Sequence, residues 1–115
     1  MALYLNNGNG GFGTAQILSD TAEGALAVAA GDLAGDRDPD IAAAASGLNT
    51  DTIIWFANDG SGGFGAAQVV TSVTDSAIES IALADLDGIN GLDIVAADSA
   101  NDTVGWYANN GSGSF

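Results

Sequence analysis

Apolar residues in this chain fall in short runs, separated by clusters of Gly, Asn, Asp and Ser that favour turns. Some runs are β-branched and aromatic, as strands prefer, and others are built mainly from alanine. Alanine favours helices, but the run Ile41–Ser46 is short and lies between Pro39 and Gly47, so we interpret it as a strand. The predicted strands are 25–30, 40–45, 52–57, 78–84, 93–97 and 103–108, with a further strand within 62–70.

Two motifs recur along the chain. The segment Trp55–Phe64 is identical to Trp106–Phe115 at seven of ten positions, and Leu3–Phe12 is a weaker third copy. A second motif, Asp32–Ile41, recurs as Asp85–Ile94. Corresponding positions are offset by 51 to 53 residues, and each period holds four predicted strands. This period and strand count are typical of the blades of a β-propeller.

The repeat predicts an all-β fold of propeller blades, each with four antiparallel strands, and about two blades per chain. We expect residues 1–24 to be the outer strands of a split blade, 25–73 a complete blade, and 74–115 the inner strands of the next blade. Two blades cannot close a propeller ring. The expected partner is therefore the chain itself, in a ring closed by homo-oligomerisation, with a trimer giving six blades.

Composition narrows the classes of function. The 115 residues carry a net charge of −14, with Arg37 as the one basic residue. This excludes nucleic acid as a natural partner, and no apolar run approaches the ~20 residues needed for membrane insertion. The sequence has no His and no Cys, which excludes Ser-His triads, thiol nucleophiles and disulfides. Because the repeat duplicates every candidate carboxylate pair, we expect no enzyme.

The run Asp85-Leu-Asp-Gly with Asp93-Ile-Val, together with turns such as Asn58-Asp-Gly-Ser-Gly-Gly-Phe-Gly65, resembles the FG-GAP/VCBS repeat, and the resemblance extends over essentially the whole chain. The resemblance implies an integrin-α-like β-propeller, related to FG-GAP-type lectins and often associated with calcium. It also implies a parent protein that is extracellular or at the cell surface. The start, Met1–Asn7, shows no signal-peptide pattern.

The family's calcium loop has side-chain ligands at positions one, three, five and nine and a carbonyl ligand at seven, which are the oxygen ligands that Ca²⁺ requires. Each loop of this chain lacks one of these ligands, at Ala34 or at Ile89, and Arg37 stands where glycine is usual. Alternatively, the aspartates only cap turns by accepting backbone N–H groups. The implied ligands are Asp32, Asp36, Asp38 and Asp40 in the first loop, and Asp85, Asp87, Gly91 and Asp93 in the second.

The repeated tryptophans have two interpretations. Trp55 and Trp106 either pack between blades or stack on sugar rings, with Asn58 and Asn109 binding hydroxyl groups. The asparagines are alternatively turn residues. The hypothesis is a non-enzymatic, calcium-associated lectin whose weak sites gain from repetition around a ring. The alternative is a structural or adhesion fragment, or an engineered propeller unit, with no ligand of its own.

Overall fold

The computed structural model describes residues 1–47 and 49–115, and within those ranges it contains nine strands and no helix. Residue 48, which falls inside the predicted blade 25–73, lies outside the described residues. The strands are β1 (Ala2–Leu3), β2 (Gln16–Ile17), β3 (Ala25–Gly31), β4 (Asp40–Ser46), β5 (Thr50–Phe56), β6 (Gln68–Thr74), β7 (Ile78–Ala84), β8 (Asp93–Asp98) and β9 (Thr103–Tyr107).

The strands form three antiparallel sheets in chain order. The first sheet pairs β1 with β2, the middle sheet has the order β3-β4-β5-β6, and the third has the order β7-β8-β9. The prediction of an all-β fold built from antiparallel strands is therefore confirmed, and one of the three sheets has the four strands expected of a blade. Within the described ranges the three sheets do not close into a barrel or a ring.

One strand begins later than its sequence predicts. The strand expected within 62–70 begins at Gln68, as β6. The residues before it belong to a long turn, in which Phe64 forms an isolated bridge with Asn58 and the Gly65 N–H donates to the Ala57 carbonyl at 2.9 Å. The backbone bonds of this turn replace those of a regular strand, so the apolar pattern alone placed the start too early.

The middle sheet packs against a neighbouring sheet on each face. Successive side chains of a strand point to opposite faces, so Ile53 and Trp55 on β5 face the third sheet, whereas Ile54 and Phe56 face the first. The strand β4 is buried along nearly its whole length, and its run of alanines gives both neighbouring sheets a flat surface to pack against. Two apolar clusters result, one on each side of the middle sheet.

No helix that is long and apolar enough to span a membrane occurs among the residues that the structure describes.

Candidate metal centre

The first acidic loop joins β3 to β4. It brings carboxylate oxygens of Asp32, Asp36 and Asp40 within 4.8 Å of one another. The chain reverses direction there through Gly35 and Arg37, which both have φ of 78°, a left-handed conformation that favours glycine. Arg37 thus occupies the position where the resemblance leads one to expect glycine.

Most carboxylate oxygens of the first loop already accept backbone hydrogen bonds. Both oxygens of Asp32 are used: Oδ1 accepts the N–H of Gly35 at 2.7 Å, and Oδ2 accepts the N–H of Arg37 at 2.9 Å. Asp36 Oδ1 accepts the N–H of Asp38 at 3.0 Å. The carboxylate of Asp38 itself stands outside the cluster, so its expected contribution remains its carbonyl group.

Asp40 is a structural residue as well as a candidate ligand. It is fully buried, and its Oδ2 accepts the N–H groups of Leu33 and Ala34, both at 2.8 Å, while Oδ1 accepts the N–H of Asn58 at 2.8 Å. One carboxylate therefore ties the start of the loop to the end of β5. Acceptance of backbone N–H groups by an aspartate is what the turn-capping alternative predicts.

The second acidic loop joins β7 to β8, and more of its carboxylate oxygens accept no hydrogen bond from the described residues. It brings carboxylate oxygens of Asp85, Asp87 and Asp93 within 4.8 Å of one another. Asp85 Oδ1 accepts the N–H of Gly88 at 2.7 Å, and Asp87 Oδ1 accepts the N–H of Ile89 at 2.8 Å. The Oδ2 atoms of Asp85 and Asp87 accept no hydrogen bond from the described residues, so both remain available to a cation.

Asp93 repeats the role of Asp40 and stays ionised. It is buried, and it accepts the N–H of Leu86 at 3.0 Å and that of Asn109 at 2.9 Å. The Asn109 N–H is the main reason that the pKa of Asp93 lies below its usual range; the Leu86 N–H and the Trp106 indole act in the same direction, against the effect of burial. A deprotonated carboxylate at this position suits a cation ligand.

Both clusters can hold a metal ion by the chemistry of their donors. A hard cation such as Ca²⁺ takes six to eight oxygens, and three carboxylates with carbonyl groups and water can supply them. The Gly91 carbonyl lies in a stretch where Asn90 and Gly91 both have positive φ, of 65° and 105°. The second loop fits better than the first because fewer of its carboxylate oxygens are already engaged.

The structure separates the two tryptophans that the sequence treats as equivalent. Trp55 is buried, and its ring packs edge-on against Phe115, with centroids 6.5 Å apart. This is the core interpretation, and it leaves Trp55 no free face for a sugar ring. Trp106 is half-exposed on the outer face of the third sheet.

The two predicted asparagines hold turns. Asn58 Nδ2 donates to the Pro39 carbonyl at 3.0 Å, and its Oδ1 accepts the N–H of Gly60 at 3.1 Å. Asn109 is buried, and its Nδ2 donates to the carbonyl groups of Leu33 at 2.8 Å and Leu92 at 3.0 Å. These amides are therefore occupied by backbone groups, as the turn interpretation expects, although the left-handed positions of the turns belong to glycines.

A groove that the sequence did not predict lies where the segment after β2 approaches the middle sheet; it is lined by polar and apolar residues, and we call it the polar groove after its hydroxyl groups. Its volume is about 460 Å³, within the usual range for small-molecule sites. Its residues come from distant parts of the chain and share no motif, so no sequence signal indicated it. Hydroxyl groups and one carboxylate dominate its polar lining, which includes Ser19, Thr21, Glu23, Thr50, Thr52 and Ser72.

The fold and the site define a protein built from tandem β repeats, with an acidic loop in each of two repeats. A model of the FG-GAP-like repeat matches residues 1–43 and 32–88, which together span more than half of the chain. The chain therefore belongs to the FG-GAP-like repeat family. A search of curated proteins and a search of solved structures each found no match.

Proposed function

We propose that this chain is a non-enzymatic, calcium-associated binding module of the β-propeller type, and that its ligand is a carbohydrate. The observation that carries the proposal is the convergence of three carboxylates in the same loop of two successive repeats. We further propose the blade division 1–24, 25–73 and 74–115, a ring of identical chains, and a site of action outside the cell or at its surface.

Calcium binding is testable by adding or removing one ligand. We expect wild-type protein to bind Ca²⁺ with a dissociation constant of about 10⁻³ M, as in weak extracellular modules. Asp87→Asn should weaken binding about tenfold, because it removes a free charged oxygen. Ile89→Asp should tighten it about tenfold, because it restores the ligand missing at position five. Isothermal titration calorimetry measures all three proteins.

The matched control is Asp102→Asn, which removes one charge from an exposed turn outside both clusters. Its affinity should equal that of wild type. If Asp102→Asn weakens Ca²⁺ binding as much as Asp87→Asn does, the ion responds only to net charge, and the calcium site is refuted; four equal affinities would refute it as well.

Carbohydrate binding is supported by the chemistry of the polar groove. Its hydroxyl groups can exchange hydrogen bonds with a neutral sugar, and Thr52 Oγ1 and Ser72 Oγ lie 3.4 Å apart across one wall. Ala45, Ile54 and Val69 give it an apolar lining for the ring carbons. The half-exposed Trp106 offers a second place, on a different sheet, where a sugar could stack.

A glycan array with millimolar Ca²⁺, and again with a chelator, tests the lectin proposal. We expect retention of neutral glycans that Thr52→Val reduces at least about tenfold, because each lost hydrogen bond in a polar site leaves its partner unpaired. Thr14→Val, an exposed threonine outside the groove, should change nothing. Loss of retention with Trp106→Ala but not with Val104→Asp, an exposed position on the same strand, would instead move the site to Trp106 on the third sheet. No retention at any calcium level would overturn the lectin proposal.

The structural or adhesion alternative rests on a specific observation. Three of the four residues that the sequence predicts for sugar binding are engaged in the core or in turns; they are Trp55, Asn58 and Asn109. A propeller unit with no ligand of its own needs those contacts and nothing more. The glycan array separates the two functions.

A further inference from the structure

Residues at equivalent positions of the repeat differ sharply in exposure. In the middle sheet and its acidic loop, Leu33, Ile53 and Trp55 are 0%, 0% and 3% exposed. Their equivalents in the third sheet and its loop are 55%, 72% and 52% exposed; these are Leu86, Val104 and Trp106. The same apolar face therefore occurs in both sheets, where it is buried in the middle sheet and exposed in the third sheet. We call the surface formed by Leu86, Val104 and Trp106 the open face.

The covered copy shows what the open face requires. Trp55 is covered by Phe115 and by the last turn of the chain, where Gly113 lies so close to the indole that no Cβ atom would fit. The loop at Leu33 is tied to the same turn by Asn109. The repeat places Gly62, Phe64 and Asn58 at the equivalent positions of the preceding turn. The chain therefore already carries a matching surface.

The N-terminal segment repeats the sequence that forms β6 in the middle sheet. In the middle sheet β5 pairs with β6, whereas its equivalent β9 is an edge strand of the third sheet among the residues that the structure describes. The segment Gly11–Leu18 repeats Gly63–Val70 at five of eight positions, and it contains β2. Among the described residues β2 pairs with β1 alone, over two residue pairs.

Beside β1, the first sheet leaves part of the middle sheet uncovered. An apolar groove of about 310 Å³ lies there, at the place where a complete blade would have the two strands equivalent to β3 and β4. Val28 is exposed in this groove, whereas its equivalent in the third sheet, Ile81, packs against the middle sheet. The lining includes Met1, Leu3, Leu18, Leu26, Val28 and Ile41.

We propose that the open face binds a second copy of this chain by strand replacement. In this assembly β9 of one copy takes the place of β1 in the next copy and pairs with its β2. The open face then covers the exposed side of β3 and β4, and Trp106 lies against Gly62 and Phe64 of the next copy as Trp55 lies against Gly113 and Phe115. This inference rests on the proposed ring and specifies its interface.

Strand replacement accounts for the duplicated strand. The first, middle and third sheets hold two, four and three strands. With β1 displaced, each copy contributes eight paired strands, which equals two four-stranded blades. The open face itself carries no charged side chain, so the net charge of −14 acts only through the rest of the surface. Assembly should therefore be favoured by salt, since about 1 M salt shortens the screening length to about 3 Å.

Light scattering after gel filtration tests the interface, in about 1 M salt with a chelator present. We expect wild type to elute as a closed ring whose mass is a whole-number multiple of 11.3 kDa. The variants Val104→Asp and Trp106→Ala should elute as folded monomers. The matched control is Ile89→Asp, which adds the same charge at a residue that is as exposed as those of the open face. Its equivalent in the first acidic loop, Asp36, is exposed although Leu33 in the same loop is buried, so residue 89 should lie outside the interface. This control should assemble like wild type.

A disulfide test reports the register of the new strand pair. In the middle sheet Ile53 pairs with Thr71, so strand replacement pairs Val104 of one copy with Ser19 of the next. The chain has no cysteine, so the double variant Val104→Cys, Ser19→Cys should form disulfide-linked multimers on oxidation. The pair Ile89→Cys, Ser19→Cys should not.

The outcomes distinguish the interface from the ring. A wild-type oligomer that survives Val104→Asp and gives no disulfide multimers would refute strand replacement and keep the ring. A wild-type monomer would refute both, while the calcium and glycan measurements would stand or fall separately.

Discussion

Replacing Trp55 by alanine should lower the free energy of unfolding by about 3–5 kcal/mol, the usual cost of removing a buried aromatic side chain. Trp55 fills the space between the middle sheet and the last turn of the chain, in contact with Phe115 and close to Gly113. The loss would therefore leave a cavity bounded by two elements distant in sequence. Urea unfolding followed by circular dichroism measures the change.

The matched control is Trp106→Ala, the same substitution at the equivalent position of the next repeat. Trp106 is half-exposed, so we expect a loss of about 1 kcal/mol or less. Both substitutions should be made in the Val104→Asp background, so that assembly does not contribute. Equal losses would show that the turn carrying Phe115 does not cover Trp55 in solution.

Replacing Asp40 by alanine should cost at least about 3 kcal/mol, because three backbone N–H groups lose their common acceptor. Burial makes each unpaired group expensive, since water cannot replace the carboxylate. Asp40→Asn keeps one oxygen and should fall between wild type and alanine. The measurement is thermal or urea unfolding with a chelator present, so that no metal affects the comparison.

Asp36→Ala is the control within the same loop. Asp36 is exposed and accepts one hydrogen bond from the backbone, so its loss should cost about 1 kcal/mol or less. If both alanine variants lose the same stability, the role of Asp40 as the tie between the loop and β5 is wrong.

Local patterns predicted the strands well, because turn residues bound each run and the repeat supplies independent copies of most strands. The motif also predicted the two acidic loops, since a carboxylate cluster built from one short loop depends on local sequence. The difference between Trp55 and Trp106 was not predictable, because their local sequences are nearly the same. Their environments differ only because one repeat has a neighbour on that side.

The polar groove was hidden for a related reason. Ser19 and Ser72 are far apart along the chain and belong to no common motif. Only the packing of the first sheet on the middle sheet brings them to one groove. Sequence periodicity reports the faces of single strands and not the spaces between sheets.

The double covering of the middle sheet has an energetic consequence. In a linear array of repeats, stability is approximately the sum of a term for each unit and a term for each contact between adjacent units. The middle unit takes part in two such contacts and each outer unit in one. The outer sheets are therefore the first to fray, and each repeat added at an end converts a terminal unit into an internal one, so cooperativity grows with the number of joined units.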